Sequence, residues 1–236
     1  MGVTLGGDRR RYPLGVTPSL EYEERELRHG PVVGIDEVGR GALAGPVMVG
    51  AVVLDELRDT PAGIADSKAL SASQREKLVP LIEQWASAFA VGAASAHEID
   101  EWGLRTALAV ATDRALSQLT LAPRGALIDG PVNLLRAPST MVFAEAPPCV
   151  VWSDLPVVTI VKGDQRCATI SAAAIIAKVR RDALMRELHE ESPLFGWSTN
   201  KGYGSLEHRR SLARYGPTRW HRRTWALPEL GSTIEG

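Results

Sequence analysis

The chain has 236 residues, 44% hydrophobic and 23% charged, with a formal net charge of −1 and no biased tract. That composition excludes a disordered or fibrous chain and suits one large domain, or one domain with a small appendage. No apolar run nears the roughly 20 residues of a membrane helix, the start MGVTLGGDRRRYPLG lacks a secretory apolar stretch, and Cys149 and Cys167 form no metal-type or redox-type cluster.

A reducing, cytoplasmic setting is therefore expected. Residues 1–30 read as a polar leader with a short charged helix around Tyr22–Leu27. Pro31–Ile35 predicts a buried strand that runs straight into Asp36 and Glu37. After a glycine-rich turn, Val47–Leu54 predicts a second strand of small and β-branched residues. Ser71–Trp85 predicts an amphipathic helix and Ala88–Ala94 a third strand. Glu98–Leu119 predicts a long helix, with Leu104, Leu108, Ala111, Ala115 and Leu119 at helical spacing.

Gly125–Ile128 reads as a short strand ending at Asp129, and residues 133–156, proline-bearing and without period, as a loop excursion. Val157–Val161 predicts a strand that empties into Lys162, Gly163 and Asp164. Ser171–Glu190 predicts a strong helix for which Ser171 is a natural N-cap. The remaining short helical pieces are broken by Gly202, Gly204, Gly216 and Pro217. The expected architecture is α/β: a mixed sheet flanked by helices over 31–195, then a small basic helical region over 196–236.

Charge is unevenly distributed. Between Ser198 and Trp225 stand Lys201, Arg209, Arg210, Arg214, Arg219, Arg222 and Arg223 against the single acid Glu207. Such asymmetry suits a surface facing phosphates, and equally a solvated basic helix. His97, His189 and His208 read as surface or structural residues, and Trp225 as part of a small core within the tail.

The chemistry signal is a set of carboxylates at strand ends: Asp36, Glu37, Asp129 and Asp164. Each alone reads equally well as a turn former or helix cap. Gathered at one end of a sheet, they repel one another and raise their pKa values unless a cation intervenes. Their oxygen ligands suit Mg²⁺ or Mn²⁺ over zinc. Two such ions about 3.5–4 Å apart can drive phosphodiester hydrolysis by activating water and stabilising the leaving oxygen. The segment Gly39-Arg-Gly-Ala-Leu-Ala-Gly45 is not a dinucleotide fingerprint, because Pro46 and a strand follow where a helix must open.

Five ordered segments resemble ribonuclease HII. They are Gly34-Ile-Asp-Glu-Val-Gly-Arg-Gly41 with Ala44-Gly-Pro46; Asp66-Ser-Lys-Ala-Leu70; Ile128-Asp-Gly130; Lys162-Gly-Asp164 with Ile170–Val179 and Arg181-Asp182; and Asn200-Lys-Gly-Tyr-Gly204 with His208. The resemblance implies a ribonuclease H-like fold with Asp36, Glu37, Asp129 and Asp164 as the metal-binding, catalytic acids. It places Gly39, Arg40 and Gly41 beside the ribonucleotide, with backbone groups on the 2′-hydroxyl, and Tyr203 against the sugar at an RNA–DNA junction. Lys68, Ser171 and Lys178 are expected phosphate contacts.

The implied activity is endonucleolytic hydrolysis 5′ to a ribonucleotide, in RNA–DNA hybrids or DNA duplexes with embedded ribonucleotides. Two-metal catalysis would leave 3′-hydroxyl and 5′-phosphate ends, and a monomer is expected. Another DNA nuclease of the same fold and a non-catalytic duplex-binding module are the competing readings. The long separation of Asp129 from Asp164 departs from the family pattern and makes Asp154 a competitor for the fourth acid. Ala174 stands where many members carry serine.

Overall fold

The structure, a computed structural model, describes residues 18–64, 70–136 and 151–234. Helix α1 (Glu21–Glu26) leads through a 3₁₀ turn into strand β1 (Val32–Val38), which folds back as β2 (Val47–Leu54). Helix α2 (Ala72–Trp85), strand β3 (Ala88–Ala94) and helix α3 (Ala96–Leu116) follow. Strands β4 (Gly125–Asp129) and β5 (Val157–Ile160) precede the short α4 (Gly163–Arg166) and the long α5 (Ala168–Glu191). The described chain then passes through α6 (Trp197–Asn200) and α7 (Leu206–Tyr215) into an extended arm.

The strands form one mixed sheet in the order β3-β2-β1-β4-β5. β2 runs antiparallel to β1 and β3, while β4 runs parallel to β1 and β5. Alternation along each strand sorts side chains between two faces. Val33, Ile35, Val49 and Ile128 pack with Ile99, Leu108 and Leu116 of α3. On the other face Val52 and Leu54 meet Ile175 and Ile176 of α5 and Ile82 of α2, and Val32 and Leu127 meet Ile170. Gly34 lets α5 lie this close: a Cβ there would stand 2.3 Å from the Thr169 carbonyl carbon.

Several boundaries differ from expectation. β1 continues through Asp36 and Glu37 to Val38 instead of ending before them, because β2 pairs with it throughout. α3 starts from a capping box between Ser95 and Glu98, is broken at Gly103 (φ 73°), and stops at Leu116. α5 starts at Ala168, so Ser171 is a wholly buried residue inside the helix and not its N-cap. The polar leader is no separate segment over residues 18–30. Ser19 bridges Cys167, and Glu23 is fully buried, its Oε1 accepting from the Thr169 N–H at 2.7 Å and the Thr169 hydroxyl at 2.9 Å. Residues 1–17 lie outside the described chain, as do Lys68, Cys149 and most of the 133–156 excursion.

The C-terminal region is welded to the sheet domain through a third core, in which Met185, Phe195, Trp197 and Leu212 surround Ala44. Trp225 does not serve a core of the tail alone; it packs against the α3 side of the sheet. Among the described residues no helix is long and apolar enough to cross a membrane.

Candidate metal centre and nucleic-acid interface

Parallel pairing brings the first two acids together. Ile35 of β1 is level with Ile128 of β4, so one step further along both strands stand Asp36 and Asp129. Alternation puts both on the α5 face, with Val32 and Leu127. Glu37, the next residue of β1, lies at the rim of the same pocket, a cavity of about 420 Å³. Asp164 does not line that cavity, yet it is buried in α4, one turn beyond β5, close enough to act on Asp36.

Asp36 is the electrostatic focus. Burial first, then the charges of Glu37, Asp129 and Asp164, hold its carboxyl well above the usual carboxylate range, against the opposing Glu37 N–H. Asp154 is exposed, on a turn near the end of the excursion, and is not among the charges that act on Asp36, whereas Asp164 is.

Asp36, Asp129 and Glu37 each accept from a donor nearby. The Glu37 N–H donates to Asp36 Oδ1 at 2.7 Å, the Gly163 N–H to Asp129 Oδ1 at 2.6 Å, and Arg40 to Glu37 Oε1 at 3.2 Å. Among the described residues no three ligand-type side chains converge closely enough to hold an ion. The chemistry of the donor set nonetheless fits a hard divalent cation. It is all carboxylate oxygen, three of its four members line one cavity, and its focus, Asp36, is destabilised as an anion by burial and by the neighbouring acids.

The Gly39-Arg40-Gly41 loop forms another wall of the cavity, with Tyr203, Lys178 and Ala174. Gly39 has φ +85°, and a Cβ there would come within 2.2 Å of Arg181 Nε, so only glycine fits. Gly41 is different: a Cβ there meets nothing within 4 Å. Tyr203 is 37% exposed, with its ring 5.5 Å from the Arg181 guanidinium. Lys178 Nζ donates to Asp182 Oδ1 at 2.6 Å. Ser171 is not brought to the cavity wall, and Lys68 lies outside the described residues.

The basic tail divides in two. Arg209, Arg210 and Arg223 are exposed, whereas Arg222 is fully buried and cannot meet a phosphate, contrary to the count of basic residues. Its donors reach the carbonyls of Gly39 at 2.7 Å, Arg40 at 2.9 Å and Gly45 at 3.1 Å. His208, also buried, is structural: its Nε2 faces Trp197 Nε1 at 3.2 Å and His221 Nε2 at 3.0 Å. Arg181 and Arg222 hold carbonyls of the chain that leads from the cavity wall; Arg181 stands in a family-like block without a role assigned from it, and neither Arg222 nor His221 belongs to such a block. Arg222 and His221 carry one faint signal, their adjacency in a His-Arg-Arg run after Pro217.

A ribonuclease HII family profile matches residues 33–227. The chain is 42% identical over 213 residues to ribonuclease HII of Streptomyces avermitilis, covering 89% of this chain and 84% of that one. It is 45% identical to ribonuclease HII of a Synechococcus species, over 85% of this chain and 94% of the relative. The crystal structure of ribonuclease H2 from Pyrococcus horikoshii superposes with a TM-score of 0.64 at 30% identity, covering 83% of this chain and 94% of the other.

Proposed function

The chain belongs to the ribonuclease HII family, whose activity is of the ribonuclease H type, and from that membership we propose a metal-dependent endonuclease that cuts on the 5′ side of a ribonucleotide. Its substrates are RNA–DNA hybrids or DNA duplexes with embedded ribonucleotides. It acts as a cytoplasmic monomer and leaves 3′-hydroxyl and 5′-phosphate ends.

One observation carries this reading: the register that sets Asp36 beside Asp129 opens both, with Glu37, onto the same cavity as Gly39, Arg40 and Gly41. Asp36, Glu37, Asp129 and Asp164 would hold two Mg²⁺ or Mn²⁺ ions, which supply water activation and stabilisation of the departing 3′-oxygen. The chain's own work is to hold and orient. Gly41 leaves room at the wall for a sugar to approach the backbone, and a 2′-hydroxyl is what tells RNA from DNA at one position. Tyr203 presents an exposed aromatic face to a sugar or base. Arg209, Arg210 and Arg223 meet the duplex phosphates, and affinity through them falls as salt rises.

The chemistry is tested by mapping product ends from a duplex with one ribonucleotide. A 5′-phosphate on the ribonucleotide-bearing fragment is expected. A 2′,3′-cyclic phosphate on the upstream fragment contradicts hydrolysis by water.

A further inference from the structure

We propose that Arg222 is a positioning residue for ribonucleotide recognition: its guanidinium grips the carbonyls of Gly39 and Arg40 and so turns the following N–H groups toward the sugar. This rests on the reading that residues 39–41 meet the ribonucleotide. Arg222 lies far along the chain from that loop and touches none of the acids through any hydrogen bond among the described residues.

Two buried cations hold the chain from Gly39 to Pro46, Arg222 at its start and at Gly45, and Arg181 at Ala44 and Pro46. Arg222 and Arg181 are both 0% exposed, and neither forms an ion pair among the described residues. Their partners are main-chain carbonyls. Arg222 takes Gly39, Arg40 and Gly45, while Arg181 takes Ala44 at 3.1 Å, Pro46 at 2.9 Å and Lys201 at 2.9 Å. Burying a charge without a counter-charge is costly, and a packed apolar residue serves stability as well or better. What an apolar residue lacks is the rigid fork of donors that holds several carbonyls in fixed directions.

Those directions matter because a trans peptide points its C=O and N–H opposite ways. With the carbonyls of Gly39 and Arg40 drawn to Arg222, the N–H groups of Arg40 and Gly41 face away from it. Neither N–H donates a hydrogen bond within the described chain, and Gly41 is exposed at the cavity wall. These are the donors left for a ligand. The arm is itself pinned: the Arg222 N–H donates to Leu43 O at 2.9 Å, and the N–H groups of Arg223 and Thr224 donate to Asp100 at 2.7 and 3.0 Å. Burial draws the Arg222 pKa down to about 9, so the fork stays charged at neutral pH.

The test compares two numbers in the full chain: kcat/KM on a duplex with one ribonucleotide, and the inhibition constant of the same duplex in all-DNA form. Arg222→Lys loses the fork, and kcat/KM is expected to fall about tenfold or more, the worth of hydrogen bonds from a charged group. The all-DNA inhibition constant is expected to stay unchanged. Arg223→Gln, an exposed phosphate partner, is expected to weaken both together. An Arg222→Lys variant that keeps both numbers, or loses both in proportion, overturns the proposal. If that variant folds poorly, Arg222→Ala is assayed with low concentrations of guanidinium. Return of kcat/KM alone supports the clamp, and no return overturns it. A parent enzyme that cuts all-DNA duplex equally well would instead sink the reading of the loop, a result separable from any variant.

Discussion

Asp36 and Asp129 stand one step beyond the last paired residues of two parallel strands, on the face of the sheet that α5 covers. A parallel pair has no slack in this respect. Once the apolar residues Ile35 and Ile128 are in register, the two carboxylates that follow are brought together against their mutual repulsion. The acid group is therefore a cost of the fold, offset by the apolar packing behind it and relieved when a cation arrives.

That cost is measurable. Asp36→Asn keeps the oxygen that accepts from the Glu37 N–H and removes the charge that burial and three acids oppose. In EDTA the variant is expected to be more stable than the parent by about 1 kcal/mol, the scale of one pKa unit, with cleavage lost by at least about a hundredfold. Thermal melts with and without Mn²⁺ check both halves. The ion should raise the parent's Tm and leave the variant's unmoved, and a variant that melts lower than the parent in EDTA contradicts the account.

The two loop glycines should respond oppositely to alanine. Gly39→Ala forces φ +85° on a residue with a Cβ and drives that atom into Arg181, so a loss of about 1–3 kcal/mol is expected. Gly41→Ala meets nothing and should melt like the parent while raising KM for the ribonucleotide substrate. Denaturant titration beside steady-state kinetics separates the two. Equal stability losses would mean that Gly41 serves the turn and not the ligand.

The His208–His221 pair predicts a loss of stability in mild acid. The tautomers are assigned from their neighbours: His208 Nδ1–H donates to Tyr203 O, and His221 Nδ1 accepts from the Thr218 N–H at 2.9 Å. Both rings are then neutral, and burial holds His221 down at about 3 and His208 below its ordinary 6.5. A folded pKa below the unfolded one gives stability that is complete above pH 6.5 and drains as pH falls toward the folded value. Melts between pH 8 and 5 should show this slope, and His221→Gln should flatten it. A slope unchanged in the variant would locate the titration elsewhere.

Glu23 should matter more than a surface acid at the start of a chain. Its Oε1 serves Thr169 through two bonds and Cys167 Sγ at 3.1 Å, all buried. Glu23→Ala orphans those donors and is expected to cost about 2–3 kcal/mol. Urea unfolding checks the figure, and a change under about 0.5 kcal/mol, the ordinary surface range, would contradict the burial.

Much of the sheet is legible in the sequence because its strands are short apolar runs bounded by glycine, proline or acids. The last residues of β1 are not, since Asp36 and Glu37 look like a strand's end until β2 is seen to pair with them and with Val38. The start of α5 misleads for a related reason. Ser171 matches the local N-cap pattern, but the helix begins earlier, where a carboxylate 146 positions away meets the Thr169 N–H. The expected start of α3 falls too late for another reason: the sequence reads as helix from Glu98, whereas Glu98 closes a capping box with Ser95 and the helix begins at Ala96. Arg222 shows the limit most clearly. In a charge count it is one more cation of a basic tail, and its partners, being main-chain carbonyls, leave no mark in the residue types around it.

Metal-dependent cutting at a ribonucleotide is measured with a labelled DNA duplex containing one ribonucleotide, beside its all-DNA counterpart, in Mg²⁺, in Mn²⁺ and after EDTA. A single cut 5′ to the ribonucleotide is expected, dependent on divalent metal and absent in Asp36→Asn and in the all-DNA duplex. Binding of the duplex with no cutting under either metal would contradict it and leave a binding module in its place.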